Sequence, residues 1–247
     1  MAKARSERRS DAPQHTPASD PVRLVTVGDR SDVRVVPTSL TELPAPRLDR
    51  SPGVDAIDAF GSYAGGIADA LPGQGARTSA LLASPSDLSA ARRSCGSRSL
   101  AVFVDLDPGR GTFDPLAPGD ASPELGQALQ ELRAKHVAVV WFSRLGENFE
   151  AAARAALAQG GLDPAGRDTL VLMRNIGERK QTRRDNIALG LCPIAILGDE
   201  RADFDELYLY LKNPDSALAL DANIGRGWFL ASPFVAQPTA PLAGAKP

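Results

Sequence analysis

From residue 99 onward the chain alternates two hydrophobic patterns. Short, nearly unbroken apolar runs occur at 99–107 (SLAVFVDLD), 137–143 (VAVVWFS), 169–173 (TLVLM), 193–197 (PIAIL) and 227–231 (GWFLA). Each is short and rich in β-branched or aromatic residues, which predicts a strand. Between them lie segments with helical spacing. Residues 123–134 put Leu125, Leu129 and Leu132 on one face, 147–159 is alanine-rich, 178–190 is basic, and another helix is expected to start at 204–211. Strands that are apolar on both faces belong to a parallel sheet covered by helices. The expected fold is therefore α/β: a doubly wound, Rossmann-like parallel sheet with helices on both faces, spanning 98–235.

The first hundred residues read differently. Residues 1–20 are polar, charged and proline-containing, and are expected to be disordered. The runs 22–27 (VRLVTV) and 33–36 (VRVV) flank Gly28-Asp29-Arg30-Ser31 and predict a hairpin. A proline-rich connector follows at 38–53. Residues 54–71 place Ile57, Phe60, Ala64, Ile67 and Leu71 on one helical face, and a loose Gly/Ser/Ala-rich stretch runs to about residue 97. Residues 21–97 thus form an amino-terminal extension, a candidate cover for any site in the main domain. Residues 236–247 read as a flexible tail, and no internal repeat is visible.

Composition narrows the function classes. A chain of 247 residues holds one large domain, or one domain and an extension. The formal net charge of −2, with both signs mixed, gives no global reason to expect nucleic acid or an anionic membrane as partner. Cys95 and Cys192 stand far apart, without a CxxC or Cys/His cluster, which argues against structural zinc. The expectation is two thiols in a reducing compartment. No apolar run approaches the ~20 residues of a membrane span. The basic, polar start is not a secretory signal as written. The default is a cytoplasmic protein that does not enter the membrane, with its oligomeric state open.

Candidate chemistry collects where the predicted strands end, which in open parallel sheets is where ligands bind. Asp105 and Asp107 close the first run, Ser143 closes the second, and Gly198-Asp199 with Asp203 follows the fourth. Lys180 lies in the basic helical stretch between. Phosphoryl transfer depends on positioning and charge stabilisation. An aspartate can serve as nucleophile through an aspartyl-phosphate, and Asp105 is the candidate. Asp107, two residues on and on the same side of an extended chain, could act as acid and then base. Mg²⁺ takes oxygen ligands, and Asp105 and Asp199 could share it, with Asp203 beside them. Ser143 could donate to a phosphoryl oxygen, and Lys180 could neutralise phosphate charge, with Arg179 the next candidate and Arg183 and Arg184 also competing. His15 and His136 lack partners and read as bystanders, whereas Trp141 and Trp228 read as core.

These motifs resemble those of the haloacid dehalogenase-like phosphohydrolases: VFVDLDPGR (102–110), VVWFSR (139–144), GERKQTRRDN (177–186) and GDERADFDELY (198–208). The fourth, and the tail IGRGWFLASP (224–233), look most like the class C acid phosphatase branch. The resemblance covers about 98–235. It implies Mg²⁺-dependent hydrolysis of a phosphomonoester of unknown identity through phospho-Asp105. The roles it implies are catalytic for Asp105, Asp107, Ser143 and Lys180, and metal-binding for Asp105, Asp107, Asp199 and Asp203.

The first motif departs from the family at its end, where Pro108 and Gly109 replace x-Thr or x-Val and remove the side chain that buttresses the loop. The gaps between motifs are too short for a full cap domain, implying an open site. The alternative is a catalytically impaired relative that binds or regulates. A phospho-acceptor receiver domain would carry its metal-binding acids after the first strand and before the lysine, not at Gly198-Asp199. A dinucleotide-binding turn would need a better GxGxxG than Pro108-Gly109-Arg110-Gly111.

Overall fold

The computed structural model describes residues 55–70 and 77–233. The expected disordered start, hairpin, connector and tail lie outside the described residues, as does Leu71. The described strands are β1 (Thr78–Leu82), β2 (Arg92–Ser94), β3 (Ser99–Asp105), β4 (Ala138–Gly146), β5 (Thr169–Met173), β6 (Leu191–Gly198) and β7 (Trp228–Leu230). The α-helices are α1 (Asp55–Asp69), α2 (Pro123–Ala134), α3 (Glu150–Gln159) and α4 (Lys180–Ile187).

Five strands form one sheet in the order β5-β4-β3-β6-β7, and every neighbouring pair is parallel. The α/β fold with a parallel sheet expected from the apolar runs is the fold observed. β3 shows why the run had to be continuous. Leu100, Val102 and Val104 enter the core beneath α1, α2 and α3, whereas Ala101 and Phe103 enter the core on the opposite face. In β4, Val139 and Trp141 likewise face one core, and Val140 and Phe142 the other. Trp141 and Trp228 are fully buried, as expected. The chain runs β3, β4, β5 towards one edge, then crosses back to lay β6 on the other side of β3. This makes β3 and β6 the strands flanking the reversal of order, the place in open parallel sheets where ligands bind. No separate folded insertion stands between Asp107 and α2, or between β4 and α3.

Three local expectations change. First, residues 78–94 are not a loose stretch, because β1 and β2 pair antiparallel there. The sequence of β1, TSALL, shows no alternation because its last four residues are all buried. Ser79 Oγ donates to the Pro193 carbonyl at 3.2 Å, and Trp228 Nε1 donates to the Ala80 carbonyl at 2.7 Å. Secondly, 204–211 is not an α-helix. The chain from Arg201 to Asn223 breaks into short 3₁₀ turns, and the Asp205 carboxylate takes the Leu207 N–H at 2.9 Å while Asn213 takes that of Asp215 at 3.0 Å. Such side-chain bonds compete with helix continuation. Thirdly, α1 lies against α2, β6 and β7, with Phe60 and Tyr63 in ring contact with Phe229, and β1 lies against β6. The described part of the extension therefore packs on the sheet.

The two cysteines are joined, contrary to the expectation of free thiols. The turn after β2 brings Cys95 beside the start of β6, with Cα atoms of Cys95 and Cys192 5.2 Å apart, inside the range a disulfide requires. Both are buried, and as a bonded pair they no longer argue for a reducing compartment. No helix among the described residues is long and apolar enough to cross a membrane.

Because the bond closes a 97-residue separation, breaking it restores much unfolded-state entropy. Cys95→Ala/Cys192→Ala should lower stability by about 2–4 kcal/mol in urea unfolding. An unchanged midpoint would show that the two sulfurs are not bonded in the protein.

Candidate active site

The carboxyl ends of β3 and β6, with the bulged end of β4 and the first residue of α4, bring all six sequence-identified residues together. Asp105 is the last residue of β3, and Asp107 follows in the loop. Ser143 lies within β4 rather than at its end. The strand continues to Gly146, but its register against β5 breaks after Phe142, and Ser143 sits in the break. Asp199 follows β6, and Asp203 closes the first 3₁₀ turn beyond it.

Gly198 is dictated by packing. A Cβ there would stand 2.5 Å from the Asp203 Cβ and 2.6 Å from its Oδ2. This close approach lets Asp203 Oδ2 accept the Asp199 and Glu200 N–H groups at 3.1 and 3.0 Å, fixing the turn and leaving Oδ1 towards the site.

Lys180 stands at the centre. Its Nζ lies 2.6 Å from Asp105 Oδ1, 3.2 Å from Asp107 Oδ2 and 3.6 Å from Asp203 Oδ1. Arg179, the next candidate, instead pairs with Glu206 at 2.7 Å and lies over the Tyr210 ring, so geometry selects Lys180. Burial opposes the charge on Lys180, but Asp105, Asp107 and Asp203 outweigh it and hold its pKa above the ordinary value.

The carboxylates divide into two groups. Oxygens of Asp105, Asp199 and Asp203 lie within 4.8 Å of one another. Burial, reinforced by Asp203, pushes Asp105 well above the ordinary carboxylate pKa against the pull of Lys180. Burial also carries Asp199 up to about 6, with Asp203 and Glu200 adding to it and the Gly109 N–H opposing. Asp105 Oδ2 and Asp199 Oδ1 are buried and carry no hydrogen bond. An unpartnered buried oxygen on Asp199, with the Asp105 and Asp203 carboxylates converging on it, suits a hard divalent cation.

Asp107 faces the other way, and its carboxylate is not part of this cluster. Oδ1 accepts from Ser143 Oγ at 2.7 Å and the Phe113 N–H at 3.1 Å. Oδ2 accepts from the Arg144 backbone N–H at 2.8 Å and its Nε at 3.2 Å. Burial would raise its pKa, but Lys180, the Ser143 hydroxyl and the two backbone N–H groups together hold it below the ordinary value. The Ser143 hydroxyl is fully engaged, donating to Asp107 and accepting from the Leu145 N–H.

Two neighbours, Arg144 and Glu206, escaped the sequence reading, and Arg184 entered it only as a competing cation. Arg144 ties Asp107 to the following loop. Arg184, fully buried, donates to the Asp203 carbonyl. Glu206 accepts the Gln181 N–H at 2.8 Å and so fixes the start of α4. Of the two that escaped, only Arg144 carried a sequence signal, its place directly after Ser143. His136 sits in the turn after α2 with φ of 59°, apart from the site. A groove of about 1070 Å³ between α2 and residues 160–167 contains none of these residues.

No protein-family model matches the chain, and no curated protein sequence matches it. Among solved structures it is similar to the class C acid phosphatase of Bacillus anthracis. The tungstate-bound form shares 13% identity over 56% of this chain and 68% of that one, with a TM-score of 0.39. A second structure of that phosphatase shares 15% identity over 73% of this chain and 78% of that one, with a TM-score of 0.46.

Asp199 provides a test of the cluster's electrostatics. A carboxyl whose native pKa is about 6 still holds its proton where the unfolded chain has lost it, so its contribution to stability falls as pH rises from about 4 to about 6. In EDTA, Asp199→Asn should flatten the stability profile over that window in urea unfolding. An unchanged slope would mean that Asp199 is an ordinary, solvated acid.

Proposed function

We infer that this chain is a phosphohydrolase that transfers the phosphoryl group of a monoester to Asp105 and then to water. One observation carries the reading. At the strand-order reversal, buried Asp105 is ion-paired through Oδ1 to Lys180 while Oδ2 is unpartnered. That leaves one oxygen oriented by a cation and the other available as nucleophile.

In the first step Asp105 Oδ2 forms a bond to phosphorus, the ester P–O bond breaks, and the leaving oxygen departs with the electron pair. In the second, water attacks phosphorus, the bond to Asp105 breaks, and a proton passes from water to Asp107. Held in its ionised form, Asp107 suits the base role. Leaving groups that depart as stable anions need no acid. Aryl phosphates are therefore favoured over alkyl phosphates. Lys180 offsets charge on the nucleophile and on the transferring group. Asp105, Asp199 and Asp203 would hold a divalent cation, Mg²⁺ by ligand type, which would neutralise phosphoryl charge when bound.

A second reading, a catalytically impaired binding or regulatory protein, draws on the same Asp107. Four donors and Lys180 surround its carboxylate, and Pro108-Gly109 stands where the resembling family has its buttress.

Hydrolysis of an aryl phosphate by purified protein, with Mg²⁺ and with EDTA, separates the two. The expected result is turnover that needs Mg²⁺ and falls at least about 10³-fold in Asp105→Asn. No turnover by folded wild-type protein, or full activity in Asp105→Asn, would sink the phosphohydrolase reading.

A further inference from the structure

The loop after Asp107 is anchored at its far end by buried Phe113, whose N–H donates to Asp107 Oδ1 at 3.1 Å, but Gly109 and Gly111 bring no side chain to the turn between. Pro108-Gly109-Arg110-Gly111 turns tightly, with the Gly111 N–H on the Pro108 carbonyl at 2.8 Å and Gly109 at φ +48°. A Cβ on Gly111 would stand 2.9 Å from that carbonyl oxygen. Glycine is thus favoured at Gly109 by its backbone conformation and demanded at Gly111 by the close approach. Yet the loop must hold still, because it leads directly out of Asp107, and its Gly109 N–H donates to Asp199 Oδ2 at 2.8 Å. It joins the acid–base residue to the cation-binding carboxylates.

One side chain spans it. Arg144 donates to Asp107 through its backbone N–H and Nε, and its Nη2 reaches the Gly109 carbonyl at 3.2 Å and the Gly111 carbonyl. It therefore holds the Asp107 carboxylate and both ends of the glycine turn at once. The planar guanidinium fork suits this, since its donors leave in fixed directions, whereas an ammonium would bind as a single point. The side chain is 39% exposed, so its function is not to fill the core.

We propose that Arg144 is a positioning residue for phosphoryl transfer, taking from β4 the place of the buttress absent at Gly109. It sets the direction of the Asp107 carboxylate and the distance between Asp107 and Asp199. The proposal rests on the phosphohydrolase reading for its kinetic consequence, but not for its structural one.

The test compares wild type, Arg144→Gln and Arg144→Lys in two measurements. In steady-state hydrolysis of an aryl phosphate with Mg²⁺, Arg144→Gln should lower kcat by about 10²-fold with KM changed by less than about threefold, as misplacing a reacting group by about 1 Å does. Arg144→Lys should recover part of the loss. In amide hydrogen exchange, Gly109 and Gly111 should exchange at least about tenfold faster in Arg144→Gln, with β3 and β6 unchanged. Unchanged loop exchange would overturn the proposal, and so would faster loop exchange with an unchanged kcat. Faster exchange throughout the sheet would make Arg144 a general stabiliser and also overturn it. Should wild type show no turnover, the phosphohydrolase reading falls, and the exchange comparison alone decides for or against the clamp.

Discussion

The ion pair between Lys180 and Asp105, 2.6 Å long and almost wholly removed from water, is the interaction on which the arrangement at the strand ends depends. Four carboxylates converge there, and like charges so close disfavour one another's ionisation. Lys180 reaches three of them. Its own position is secured by bonds that also hold the loop carrying Asp203. Glu206 takes the Gln181 N–H and Arg179, while Arg184 donates to the Asp203 carbonyl. Helix α4 and the segment after β6 are thus one unit, and removing a partner would leave buried charge uncompensated. Asp199 stands apart from this compensation, paired with no cation among the described residues and holding one oxygen without a hydrogen bond.

The Asp105-Leu-Asp107 motif separates two environments within three residues. Asp105 ends a buried strand, where desolvation and Asp203 work against its charge and Lys180 supports it. Asp107 has left the strand and met hydroxyl and N–H donors from β4 and the loop, which favour the anion. Two aspartates of identical intrinsic acidity are pushed apart by position alone, the condition under which a pair of carboxyl groups can hold different roles.

Much of the fold was legible because burial on both faces leaves a plain mark. SLAVFVD, VAVVWFS and PIAIL could hardly be anything but covered strands, and acids at their ends identified the site's edge of the sheet. What escaped has equally physical reasons. β1 is buried almost throughout by packing against another strand, so TSALL shows no period. Residues 204–211 carry helical spacing, but Asp205 redirects the backbone locally, and a single aspartate does not announce whether it starts a helix or interrupts one. The Cys95–Cys192 bond depends on a turn that places two distant residues 5.2 Å apart, and sequence separation gives no hint of that. Order and strand position singled out Asp105, Lys180 and Asp199, which the structure brings together. Arg144 was not singled out, because its role lies in bonds to backbone carbonyls of another loop. The missing buttress at Gly109 looked like a loss until the structure placed that guanidinium across the turn.

The unpartnered oxygen of Asp199 and the cluster around it make the central claim directly measurable without any substrate. A cation bound by the native cluster and not by the unfolded chain must stabilise the protein in proportion to its saturation, by about 2.7 kcal/mol at a hundred times its Kd. Thermal unfolding across a Mg²⁺ titration, for wild type and Asp199→Asn, is the measurement. The expected result is a wild-type midpoint that climbs with the logarithm of Mg²⁺ concentration and a variant midpoint that does not. A wild-type midpoint indifferent to Mg²⁺, or one that climbs equally in the variant, would contradict the assignment of these carboxylates as a cation site.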